Sequence, residues 1–152
     1  MTEPLVIEEY FGGPGEGDLL NAAAALAQAL RGFAATEAQA AAGLRACLPG
    51  PTDAGPLSDM RRARAVSLAA AEAASRAALL LEAAEIVGPG GEAASIAARL
   101  TEAAKRLGMN IAGLVPALRA AALSLPTDDA SARIAAAIRV QELVGALEKG
   151  QG

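Results

Sequence analysis

The chain has 152 residues, 53% of them hydrophobic, and a formal net charge of -4, which fits one domain with a core of its own. The acidic balance argues against a protein that grips a phosphate backbone or an anionic membrane through a basic surface. Histidine and tryptophan are absent and cysteine and tyrosine occur once each, which removes the usual general base and the commonest metal ligand, so neither an enzyme nor a cofactor or metal site is expected.

Residues 1–17 stand apart as an N-terminal arm. Leu5, Val6, Ile7, Tyr10 and Phe11 bring β-branched and aromatic side chains to a chain that otherwise avoids them, and a Gly-Gly-Pro-Gly-Glu-Gly hinge follows. Such side chains are costly to leave in water and serve as anchors in partner pockets. The arm can pack on its own bundle, exchange with a second copy, or dock on another protein. The N-terminus is acidic and lacks the basic region of a signal peptide, so a cytoplasmic protein is expected.

From residue 18 to 149 the pattern predicts one all-α bundle. Alanine fills 42 positions; it is the best helix former but buries little surface, so helices must approach closely around a thin core. The first helix is expected over about Leu19 to Leu48 with Asp18 as its N-cap. Leu19, Leu26, Phe33, Ala40 and Cys47 recur at seven-residue steps, a coiled-coil-like seam that places Cys47 in the core. Gly32 and Gly43 are either weak points or places of close backbone approach. The proline-rich run 49–56 is a loop.

The second helix is expected from Leu57 to Val87. Ala63, Val66, Ala70, Ala74, Ala77, Leu81 and Ala84 form a small-residue stripe suited to antiparallel packing on the first helix. Its charges, Arg64, Glu72, Arg76, Glu82 and Glu85, interrupt the nearest approach to a membrane span. Arg61, Arg62 and Arg64 are the one dense basic cluster, and they oppose the positive end of the helix dipole. A partner's acidic group or a phosphate would compensate them, as would solvent and Asp59. Glu82 and Glu85 share a helical face, but carboxylate metal sites in bundles usually add a histidine, which this chain lacks.

Gly88–Gly91 ends that helix. A third follows with Ile96, Leu100, Ala103 and Leu107 on one face and Gly108 as its terminator. A fourth begins near Gly113 to Val115, which leaves Pro116 in its first turn, and ends near Leu123. Thr127 caps a fifth, whose buried face is expected at Ile134, Ile138, Val144 and Leu147. The segment Glu102 to Ala120 has the spacing of a helix-turn-helix, with Ala104 and Gly108 four apart. A DNA-binding reading would rest on Lys105, Arg106, Asn110 and Arg119, which is little with which to read bases, so a nucleic-acid partner is not favoured.

The expected architecture is therefore a long antiparallel helical hairpin, completed by three shorter helices and preceded by an extended arm. In size, acidity and hairpin this resembles flagellar and type III export chaperones, a likeness of shape that carries no site residues across. The leading expectation is a non-enzymatic protein–protein interaction module, such as an adaptor, assembly factor or export chaperone. Its partner would be another protein or a second copy, with no membrane. The arm and Arg61, Arg62 and Arg64 are the candidate contacts. The alternatives are a DNA-binding regulator or packaging subunit using residues 102–120, and a self-assembling structural protein that exchanges arms.

Overall fold

A computed structural model describes residues 16–47 and 57–151. Among these, 87% are helical and none lies in a strand. Five α-helices follow in order: α1 (Glu16–Ala46), α2 (Leu57–Val87), α3 (Ala93–Arg106), α4 (Leu114–Leu123) and α5 (Ala130–Gln151), with a 3-10 turn at Ile111–Gly113 before α4. The arm expected over residues 1–17 lies outside the described residues apart from Glu16 and Gly17, which are already helical. Asp18 is thus inside α1 and does not cap it.

The α1–α2 pair forms the most extensive contact in the molecule, and α5 packs against α1, α3 and α4. Glu37 meets Arg76 and Ala27 lies beside Gly88, so the two long helices run antiparallel. Both faces of the contact are alanine-rich: Ala22, Ala23, Ala27, Ala34 and Ala41 on α1, and Ala70, Ala73, Ala77, Ala83 and Ala84 on α2, are all buried. At Gly88 an added Cβ would stand 3.0 Å from the Ala84 carbonyl oxygen and 3.2 Å from the Ala27 Cβ. Glycine is what lets the two backbones close there.

The larger side chains gather at one end of the hairpin. Leu26 and Leu30 of α1, Val87 of α2, Leu100 of α3, Leu114 and Leu118 of α4 and Leu143 of α5 are fully buried there. The seven-residue seam of α1 therefore holds only in part. Leu26 is buried and Phe33 half-buried, but Ala40 and Cys47 are exposed. Cys47 is a surface residue because three of the five helices cover only the base of the hairpin. On α2 the expected stripe is buried at Ala70, Ala77 and Ala84 but fails at Leu81, which is exposed while Leu79, Leu80 and Ile86 are buried.

The helix ends follow local chemistry. Met109 N–H donates to the Ala104 carbonyl at 2.8 Å and Gly108 N–H to that of Lys105 at 3.1 Å. This is the paired-bond terminator that places one left-handed residue after a helix, and Gly108 supplies it at φ +67°. At the start of α5 the cap is Asp129, not Thr127: Asp129 Oδ1 accepts from the Ser131 N–H at 3.0 Å. Thr127 Oγ1 accepts from the Asp129 N–H one step earlier. On α5 Ile138 is half-buried and Ile134 exposed, and the inward face is Ala135, Ala136, Arg139, Val140, Leu143, Val144 and Leu147.

Candidate functional site

Three elements that are distant in sequence enclose an apolar cleft of about 360 Å3. The second half of α1 contributes Phe33, Thr36 and Glu37, the middle of α2 contributes Arg76, Leu79 and Leu80, and Met109 to Ala120 close the third side. Helical spacing explains the α4 wall. Gly113, Ala117 and Ala120 repeat at four and three residues and so share a face. The small side chains on that face are too short to fill the gap between α4 and the hairpin, which leaves the space open. Phe33, Met109, Ala117 and Ala120 are half-buried, so the lining is reachable from outside.

The polar side chains that line the cleft, Thr36, Glu37, Arg76 and Asn110, are among its more exposed members. Arg76 pairs with Glu37 at 3.2 Å. Thr36 Oγ1 donates back to the Gly32 carbonyl, and Asn110 Oδ1 accepts from the Ala112 N–H at 3.0 Å, which caps the 3-10 turn. The cleft thus presents an apolar floor with one ion pair at its margin. Apolar pockets in this size range with a few placed polar groups are the usual form of a binding site.

Periodicity alone did not reveal this cleft, because it depends on how α4 meets α1 and α2. The arm residues Leu5, Val6, Ile7, Tyr10 and Phe11 lie outside the described residues. Arg61, Arg62 and Arg64 are exposed on the first turns of α2, remote from the cleft. Of the segment considered for DNA, Arg106 is committed to Glu82 through two bonds, at 2.5 and 3.2 Å, and Asn110 is committed to its turn. Lys105 and Arg119 remain its exposed cations. Arg106 also engages one of the two carboxylates considered together on α2, and Glu85 beside it is exposed. Among the described residues no three metal-binding side chains converge, and no helix is long and apolar enough to cross a membrane.

Arg139 was missed by sequence reasoning. It is buried at 7% exposure, donates to the Gly91 carbonyl, and stands 3.8 Å from Glu142. It pins α5 to the loop between α2 and α3. Its signal was positional, since Arg139 falls on the same stripe as Ala135, Ala136, Leu143 and Leu147.

No protein-family model matches this chain, and neither does any curated protein or solved structure.

Proposed function

We propose that this protein is a non-enzymatic interaction module that seats the apolar face of a partner segment, such as an amphipathic helix, in the cleft between α1, α2 and α4. The observation that carries this reading is the cleft's asymmetry: Leu79, Leu80, Met109, Leu114 and Ala117 on the floor, and the Glu37–Arg76 pair at one margin. A groove of that kind takes hydrophobic anchors spaced along a helix, while the ion pair fixes orientation.

Methyl NMR of the full chain tests it, with a synthetic Leu/Lys amphipathic helix as probe and a scrambled peptide of the same composition as control. The ordered peptide should shift Leu79, Leu80, Met109 and Ala117, and Ala117→Arg should weaken that binding at least about tenfold, the loss of roughly 1.4 kcal/mol. Equal responses to both peptides, or shifts scattered over the surface, would count against the cleft.

A further inference from the structure

The far end of the hairpin carries a second surface with different chemistry. Glu37 lies against Arg76 and Ala27 against Gly88, a register that brings the end of α1 at Ala46 level with about Val66. The first turns of α2 therefore project beyond α1. On this tip Arg45, Arg61, Arg62 and Arg64 are exposed, and so are Met60 at 61% and Leu68 at 59%. Among the described residues between 38 and 71 the one carboxylate is Asp59, and Asp53 also falls in that stretch of sequence, against Arg45, Arg61, Arg62 and Arg64. The tip is basic and apolar on a protein whose net charge is negative.

Residues 1–18 have the opposite character: Glu3, Glu8, Glu9, Glu16 and Asp18, with no Lys or Arg, interleaved with Leu5, Val6, Ile7, Tyr10 and Phe11. We propose that the hairpin tip is the docking site for the acidic N-terminal segment of a second copy of this chain. For the central pair Glu8 and Glu9, reach selects the second copy. From Glu16 to Ala46 the 31-residue α1 measures about 45 Å, and the arginines lie a few ångströms further on. Glu8 precedes Glu16 by eight residues, which span at most about 29 Å fully extended. Glu8 and Glu9 cannot reach the arginines of their own chain. Two hairpins laid antiparallel bring each N-terminal segment to the other's tip, and the two-fold arrangement closes on itself. This surface is separate from the cleft, so either assignment can fail without the other.

The test is charge exchange in the full-length protein, read by light scattering behind size exclusion. The wild type should form a dimer at low salt that weakens at least about tenfold at high salt, as screened pairs do. A tip variant (Arg61→Glu, Arg62→Glu, Arg64→Glu) and an arm variant (Glu3→Lys, Glu8→Lys, Glu9→Lys) should each be monomeric. Mixed together they should form a heterodimer, because both contacts then regain opposite charges. Acidic residues near the start of α2 also suit its dipole, so the tip variant should keep its circular dichroism. A monomeric wild type at low salt, a dimer indifferent to either reversal, or two helical variants that fail to associate when mixed would each overturn the proposal.

Discussion

Replacing Gly32 and Gly145 by alanine should make the protein more stable. Both lie inside long helices, and a Cβ built at either meets nothing within 4 Å. The substitution thus meets no resistance in the folded state, and it removes backbone freedom from the unfolded chain. Glycine costs about 0.8–1.0 kcal/mol relative to alanine in a helix interior. The sites are on α1 and α5 and share no contact through the added methyl groups, so the two effects should add to about 2 kcal/mol. For a domain of this size that corresponds to a rise of roughly 4–8 °C in Tm. Urea unfolding followed at 222 nm should show a higher midpoint with an unchanged slope. A lower midpoint would refute the reasoning, because it would mean that another backbone occupies the space beside Gly32 or Gly145.

The other outcomes follow the same geometry. Leu143→Ala, at a fully buried site, should cost about 2–5 kcal/mol in the same assay, whereas Ile134→Ala, at 55% exposure, should stay within about 0.5 kcal/mol. Arg139→Ala should cost about 1.5–3 kcal/mol, because the Gly91 carbonyl loses a charged donor. Arg106→Ala should cost less than about 1 kcal/mol, since its pair with Glu82 is solvent-exposed. Gly108→Ala should cost about 1–2 kcal/mol in spite of open surroundings, because φ is +67° there.

The helices were legible because their ends are written locally. The prolines of 49–56, Gly88–Gly91, Gly108 and the Thr-Asp-Asp run after Pro126 each interrupt an alanine-rich stretch, and α2 to α5 begin or end close to them. What could not be read was which parts of a stripe have neighbours. The seven-residue seam of α1 continues unbroken to Cys47, yet burial fades after Ala41, because spacing records a helical face and not the length of the helix opposite it. Ile134 misled for a related reason: apolarity draws attention to a side chain, but the turn of α5 that faces inward is marked by Ala135 and Ala136. The cleft needed the meeting of α4 with α1 and α2, a contact between elements remote in sequence that no local pattern encodes.

The tapering of the hairpin has a dynamic consequence. Its base is held by large aliphatic side chains from all five helices, whereas the outer half of α1 buries little beyond Ala41. Opening free energy should therefore fall steadily from base to tip, and amide exchange should spread inward from Ala46 before the base responds. Whatever grips the tip would slow that fraying, so occupancy at one end of the molecule could be followed by exchange protection along the rod leading away from it.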